Sequence, residues 1–337
     1  MNAPLPKTMR AIQQDEADGK LFLREVPVPQ PKEGEVLVKI HCAPINPTDL
    51  NALRGMSYTG ERTYPFIPGM EGSGVVVQAG KGMMGSYLKG KKVACAPNIP
   101  GDGCWAEYML TSASRCVPID KKMSFEEGAM ILVNPLTALG FFEILEKENH
   151  KGMINPAAAS ALGGMVIQLA KEKNIPVIHI VRRAEQIDLV KEKGGIHILN
   201  SSSDSFQDEL HALAASLHTD LILDPIGGDM TYTLTEVAPI GSTILLYSKL
   251  SEENSTVNPR TLLNKDLRIE GFFLSNHLAK KSIFQKLQLI KKAQKLVAGH
   301  AGQFIRERLP LEEVNRAVDL YRKEMSKGKF MLEVVSA

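Results

Sequence analysis

With 337 residues, 44% of them apolar and 23% charged, the chain is too long for one hydrophobic core and too ordinary in composition for a disordered or fibrous protein, so two domains are expected. Its 40 basic and 38 acidic side chains leave a formal net charge of +2 with no basic stripe, which argues against nucleic acid as a partner. Four cysteines, Cys42, Cys95, Cys104 and Cys116, lack CxxC spacing and so argue against a disulfide scaffold and a structural zinc site. The first ten residues hold no apolar leader and no run of about 18 apolar residues occurs, so a soluble, cytoplasmic protein with no membrane partner is expected.

From Met9 to Pro118 the sequence consists of short β-branched runs broken by Gly and Pro: Leu21 to Val26, Glu35 to His41, Gly74 to Ala79, Lys92 to Ala96 and Ala106 to Leu110. That pattern predicts a barrel-like β domain. The texture changes at Ser124, where a Ser three residues ahead of Glu127 predicts a capping box and a helix. Strands and helices then alternate: a strand in Gly152 to Pro156, helix Gly163 to Asn174, strand Pro176 to Val181, helix Glu185 to Lys193 and strand Ile196 to Leu199. Helix Phe206 to Leu217, strand Asp220 to Asp224, a helix from Met230, strand Ser242 to Tyr247 and strand Leu267 to Phe273 follow. Units of this length predict a doubly wound parallel sheet.

The chain closes with helix Lys280 to Ala298, strand Phe304 to Arg308, helix Leu311 to Lys323 and strand Lys329 to Val335. The lysines from Lys280 to Lys295 are expected on a solvated helix face. A final strand can rejoin the first sheet, so that domain is expected to be discontinuous, 1–126 with 277–337, around a second domain of 127–276.

Small residues at a strand-to-helix turn let a backbone approach a pyrophosphate, and the helix behind it offers free N–H groups and a positive dipole end. The run Asn155-Pro156-Ala157-Ala158-Ala159-Ser160-Ala161-Leu162-Gly163-Gly164 is such a turn, with Ser160 and Ala161 standing where glycines are usual. Ser160, Ala161, Leu162 and Gly163 are therefore cofactor candidates, with a tightly packed turn as the alternative. The next strand ends in Arg182-Arg183, where an NAD-binding fold would place Asp or Glu. Guanidinium forks suit a 2′-phosphate, so NADPH is favoured over NADH. Asn46, before Pro47, carries an amide able to hold a ribose or nicotinamide edge by donor and acceptor together. Tyr247 ends a parallel strand, where ligands bind in such sheets. The eight histidines form no ligand-like cluster.

An ordered set of segments resembles the medium-chain dehydrogenase/reductase superfamily: Ile45-Asn46-Pro47-Thr48-Asp49-Leu50, Ile67-Pro68-Gly69-Met70-Glu71-Gly72-Ser73-Gly74, Asn134-Pro135-Leu136-Thr137-Ala138, Gln168-Leu169-Ala170-Lys171, Asp224-Pro225-Ile226-Gly227-Gly228 and Gly271-Phe272-Phe273-Leu274-Ser275. The resemblance implies a GroES-like β-barrel catalytic domain and a Rossmann dinucleotide-binding domain. Where zinc-dependent members place Cys and His, this chain has Asn46 and Met70, so it resembles the zinc-free branch of quinone oxidoreductases and 2-enoyl thioester reductases, and no metal is expected.

Within that branch the resemblance implies Tyr58 as proton donor, with Tyr64 as a neighbouring competitor, and Asn46 beside it in the catalytic set. It implies Thr137 and Tyr247 as cofactor contacts, Phe273 and Leu274 shaping the nicotinamide pocket, and Lys329 reaching the adenosine phosphate, against an exposed loop lysine. The expected function is NADPH-dependent reduction of an activated double bond in a small molecule, a quinone, enone or enoyl thioester, with hydride delivered between the domains. An enoyl thioester reductase in particular and a non-catalytic, crystallin-like or sensor protein are the alternatives. The resemblance also implies a homodimer joined near Ile269 to Phe273.

Overall fold

The computed structural model describes residues 4–56 and 63–334. In chain order its elements are β1 (Thr8–Gln14), β2 (Leu21–Pro27), β3 (Glu35–Pro44), α1 (Pro47–Leu53), β4 (Gly72–Ala79), α2 (Met83–Leu88), β5 (Lys92–Cys95), β6 (Tyr108–Ser112), β7 (Cys116–Pro118), α3 (Phe125–Ala129) and α4 (Asn134–Glu148). They continue with β8 (Met153–Asn155), α5 (Ala161–Lys173), β9 (Val177–Val181), α6 (Glu185–Glu192), β10 (His197–Asn200), α7 (Phe206–Leu217), β11 (Leu221–Asp224), α8 (Asp229–Val237), β12 (Thr243–Leu246), α9 (Pro259–Lys265) and β13 (Arg268–Gly271). Last come α10 (Leu274–Ala279), α11 (Ile283–Val297), α12 (Ala301–Phe304), β14 (Ile305–Pro310), α13 (Val314–Glu324) and β15 (Lys329–Glu333).

The strands expected between Leu21 and Leu110 are present to within a few residues, and β1 adds a partner for β2. The capping box at Ser124 forms, its hydroxyl accepting from Glu127 N at 3.1 Å while the Glu127 carboxylate accepts from Ser124 N at 2.7 Å. It opens only the short α3, because Met130 to Val133 leave the helix and Glu71 takes the Leu132 and Val133 N–H groups. The expected helix from Leu311 begins as a single 3₁₀ turn and becomes α13 at Val314.

Two compact units result, 1–133 with 290–337, and 134–289. The changes of unit fall later than the change of texture at Ser124 suggested, because Glu71 holds residues 132 and 133 to the first unit and Gln294 of α11 donates to the Pro118 carbonyl at 3.0 Å. In the first unit a seven-stranded sheet runs β14-β15-β3-β4-β5-β7, with β6 also paired to β3. Register shifts at Leu37/Val38 and Ile40/Cys42 mark bulges that bend β3 around a core containing Trp105, Leu37, Ile40 and Phe330. The last strand, β15, lies antiparallel to β3, pairing Met331 with Pro44.

The second unit holds six parallel strands in the order β10-β9-β8-β11-β12-β13. All five residues of β9, Val-Ile-His-Ile-Val, are buried, as expected for a parallel strand covered on both faces. In chain order the strands run 3-2-1-4-5-6, so the direction of winding reverses between β8 and β11 and leaves a crevice outside their carboxyl ends.

At the opposite edge of this sheet His150 Nδ1 stands 3.0 Å from Asp220 Oδ2, and Lys151 N donates to Asp220 Oδ1 at 2.9 Å. Glu148 lies 3.6 Å from His150 Nε2 and 2.7 Å from Arg268. The His150 bond, with help from Lys151 N, holds the Asp220 carboxyl below the usual range against the desolvation that opposes it. A carboxylate lowered on folding contributes stability above its unfolded pKa of about 4 and loses it as pH falls through the folded value. Asp220→Asn is therefore expected to cost stability near neutrality and to approach the parent as pH falls through the lowered Asp220 value. Urea melts from pH 3 to 7 check this, and a pH-independent deficit would assign the loss to the Lys151 bond alone.

Candidate functional site

The turn after β8 is built by residues whose roles differ from the glycines they replace. Ala157 adopts φ +56°, and Ser160 is the N-cap of α5, its Oγ accepting from Gly163 N at 3.0 Å. The cap uses one N–H that a phosphate would otherwise take but leaves the Ser160 O–H proton free to donate. A Ser three residues ahead of the helix glycine was a legible cap signal. Gly163 is required by close approach: a Cβ there would stand 2.4 Å from the Ala158 carbonyl oxygen. Ala161 and Leu162, half-buried in the first turn of α5, keep their N–H groups toward the helix start.

Four other strand ends complete this edge. After β9, Gln186 Oε1 accepts from both Arg182 N at 3.1 Å and Arg183 N at 3.0 Å, pinning the turn that carries the two guanidinium groups. Arg182 is exposed and Arg183, half-buried, pairs with Glu185 at 3.1 Å. After β11, the buried Asp224 accepts from Ile226 N (2.8 Å), Gly227 N (3.0 Å) and Thr231 Oγ1 (2.6 Å), folding a loop in which Gly227 and Gly228 take φ of +74° and +56°. Backbone of that kind is open to glycine at little cost. After β12, Tyr247 packs its ring 4.8 Å from Phe141, and burial raises its hydroxyl pKa, keeping it neutral. After β13, Phe272 turns inward against Phe141 at 5.0 Å, while Phe273 caps α10 and Leu274 opens it, both half-buried.

In the first unit Asn46, Asp49, Glu71 and Lys329 form one buried polar cluster, each no more than 1% exposed. Asn46 Nδ2 donates to Glu71 Oε1 at 3.1 Å, and the Lys329 ammonium donates to Asn46 Oδ1 and lies 4.0 Å from Glu71 Oε1. A donor-only ammonium on one side and an acceptor carboxylate on the other fix the orientation of the amide. Glu71 Oε2 also accepts from Leu132 N and Val133 N at 3.1 and 2.9 Å, and Asp49 accepts from Asn46 N at 2.7 Å and Met70 N at 2.8 Å. Burial pushes Asp49 up to about 7 and Glu71 upward, and draws Lys329 downward.

One expectation is corrected here: Lys329 is not an exposed loop lysine, since it is 1% exposed and its ammonium lies beside Glu71. Both ends of the Asn46 amide are engaged inside the unit. Thr137 is buried in the first turn of α4. Tyr58 lies outside the described residues. Tyr64 is half-buried, its ring edge-on to Phe66 at 5.6 Å, and its hydroxyl finds no hydrogen-bond partner among the described residues. Glu71, Asp49 and Asp224 were not singled out from the sequence as functional, although each stands inside a quoted motif. On α11, Ile283, Phe284 and Leu287 are exposed while Lys286 among them is half-buried, so that face is not purely polar.

The residues fit a dinucleotide at the second unit's strand ends: a glycine-dependent turn, a helix start behind it, and two guanidinium groups on the neighbouring strand. They do not fit a catalytic zinc. Asn46 already faces an ammonium, and among the described residues no three His, Cys, Asp or Glu groups come together as ligands. All four cysteines are buried with free thiols, Cys42 pushed up to about 12 by burial.

Barrel-type unit, six-stranded doubly wound sheet and dinucleotide edge together define a two-domain nicotinamide-dependent oxidoreductase. Residues 32–121 match the family Alcohol dehydrogenase GroES-like domain, and residues 161–292 match Zinc-binding dehydrogenase. The chain is 28% identical to the mitochondrial enoyl-[acyl-carrier-protein] reductase of Arabidopsis thaliana over 90% of this chain and 81% of that one. It is 25% identical to the quinone oxidoreductase of Rattus norvegicus, covering 97% and 98%. A Mesorhizobium loti structure assigned as an NADPH:quinone reductase superposes with a TM-score of 0.89 at 29% identity, covering 98% of this chain and all of that one. The chain belongs to the medium-chain dehydrogenase/reductase superfamily, in its quinone oxidoreductase and enoyl reductase branch, and is an oxidoreductase with GroES-like and Rossmann domains. None of its described helices is long and apolar enough to cross a membrane.

Proposed function

We propose that this enzyme is an NADPH-dependent, zinc-independent reductase of activated double bonds in small molecules, acting on a quinone. The observation that carries the cofactor half is the Arg182-Arg183 pair at the end of β9, where a 2′-phosphate rather than a ribose hydroxyl is recognised by guanidinium forks. Likeness to quinone reductases over nearly the full length supports the substrate half. An enoyl thioester is the second reading, favoured by the mitochondrial enoyl reductase relatives.

Bound NADPH supplies the hydride. Ser160, Ala161, Leu162 and Gly163 hold its pyrophosphate, and Arg182 and Arg183 its 2′-phosphate. Thr137, Tyr247, Phe273 and Leu274 line the nicotinamide end, where burial keeps Tyr247 neutral. Tyr58 gives the proton to the far end of the conjugated system, with Tyr64 as the alternative donor. Asn46 stays in the catalytic set, its backbone N–H held by Asp49 at the start of α1 and its amide oriented by the buried Lys329.

β13 is the outer strand of its sheet, with Arg268, Glu270 and Gly271 exposed, and we place a homodimer contact along Ile269 to Phe273. A cytoplasmic location without nucleic-acid or membrane partners completes the proposal.

The test is a fluorescence titration with NADPH and NADH on the parent and on Arg182→Ala with Arg183→Ala, followed by turnover with a quinone and a crotonyl thioester. The parent is expected to prefer NADPH, and the double variant to lose most of that preference, roughly 100-fold for two charge-assisted contacts. Turnover only of the thioester would replace the quinone reading. Binding with no turnover of either would make the protein a non-catalytic binder.

A further inference from the structure

Next to the glycine turn stands a cation that no sequence pattern singled out. Lys193 follows the last residue of α6, and its ammonium reaches back to the Ala159 carbonyl oxygen at 3.4 Å. The end of the same side chain lies 3.4 Å from where a Cβ on Gly164 would stand. Ala159 and Gly164 bracket the N-cap Ser160 and the first turn of α5.

The cations nearest in sequence are paired: Lys191 with Asp188 at 3.8 Å and Arg183 with Glu185 at 3.1 Å. Among the described residues Lys193 has no acidic partner. Burial of its ammonium end alone draws its pKa below the ordinary lysine value, with no carboxylate to raise it. Its position is unfavourable for a second reason, because a helix start carries a partial positive charge and repels a neighbouring ammonium. A partly desolvated ammonium held against a positive helix end, with only a carbonyl for company, is a local excess of positive charge that a bound anion would relieve.

We infer that Lys193 is a binding residue for the pyrophosphate of the dinucleotide, closing the turn from the α6 side. This rests on the dinucleotide reading above. The pyrophosphate is chosen over the 2′-phosphate because Lys193 touches the turn's own carbonyl, whereas Arg182 and Arg183 are fixed by Gln186 at the other end of α6, about 12 Å of helix away. Lys193 supplies a point charge, and the helix N–H groups supply direction.

The experiment titrates ADP, NADH and NADPH into the parent, Lys193→Met and Lys193→Arg by calorimetry, at two salt concentrations, with a thermal melt of each. Lys193 is an exposed residue whose side chain hydrogen-bonds, among the described residues, to the Ala159 carbonyl alone, so unchanged melting is expected for both variants. Lys193→Met is expected to weaken all three ligands by about tenfold, to leave the NADPH-to-NADH ratio unchanged and to flatten the salt dependence, while Lys193→Arg keeps most of the affinity. Unchanged affinity for all three overturns the inference, and so does a loss confined to NADPH, which would move the cation to the 2′-phosphate. If the parent itself binds none of them, the dinucleotide reading fails first and the inference falls with it.

Discussion

Lys329→Met is expected to be the most destabilising single substitution in the first unit, by about 3 to 5 kcal/mol, because it leaves Glu71 and Asp49 buried without a countercharge. The carboxylates keep their hydrogen bonds from Asn46, Leu132, Val133 and Met70, but backbone dipoles do not neutralise two charges at full burial. The deficit has a predictable pH dependence. A carboxyl whose folded pKa is raised keeps its stability below its unfolded pKa of about 4.3 and loses it as pH rises through the folded value. Burial already raises Glu71 with Lys329 present, and removing the lysine raises it further. The variant should therefore lie closest to the parent in mild acid and fall behind toward neutrality.

Glu71→Gln added to Lys329→Met should recover a large part of the loss, since the amide removes the orphaned charge while keeping an oxygen for the Leu132 and Val133 N–H groups. Chemical denaturation of the four proteins at pH 5 and 8 reads both effects. A pH-independent deficit with no recovery in the double variant would mean that packing of the lysine stem, not charge, holds this cluster. Because Lys329 is sealed inside the unit, the NADPH-to-NADH ratio should be unaltered, the opposite of what a phosphate-binding lysine would give.

The second large effect lies in the other unit. Gly163→Ala places a methyl 2.4 Å from the Ala158 carbonyl oxygen and 2.7 Å from its carbonyl carbon, and both obstacles are backbone. Relief requires α5 to move off β8 or the 157–160 turn to unfold, and either movement breaks the Ser160 cap. The expected result is a stability loss of about 3 kcal/mol and loss of NADPH and NADH binding together. Gly164→Ala is the control one residue away. Its new methyl would meet only the flexible end of Lys193 at 3.4 Å, so its effect should be far smaller. Nucleotide titrations and melts of both variants decide the matter, and equal behaviour of the two would show that the turn tolerates a side chain at either position.

Much of this was legible in the sequence, for identifiable reasons. Strand and helix order in the second unit follows from short-range periodicity, and the uniform burial of Val177 to Val181 shows why an unbroken apolar run marked a central parallel strand. The glycine turn and the arginine pair were visible because a phosphate site is assembled from consecutive residues, which a linear pattern can display. Ser160 was seen as a missing glycine rather than as a cap, although its spacing to Gly163 carried the signal.

The sequence by itself thus determined the order of strands and helices and displayed the glycine turn and the arginine pair. Only the tertiary structure decided the surroundings of Asn46, Glu71, Lys329 and Lys193. Lys329 and Asn46 are 283 residues apart, and they meet because β15 returns to lie against β3. Whether a lysine is a surface charge or a buried counter-ion depends on what the fold wraps around it, and the local sequence at Ser326-Lys327-Gly328-Lys329 is the same in both cases. Lys193 likewise reads as one more exposed lysine at a helix end until packing of α6 beside α5 brings its ammonium to the turn. Backbone periodicity is a local property written residue by residue, whereas charge compensation depends on distance through space.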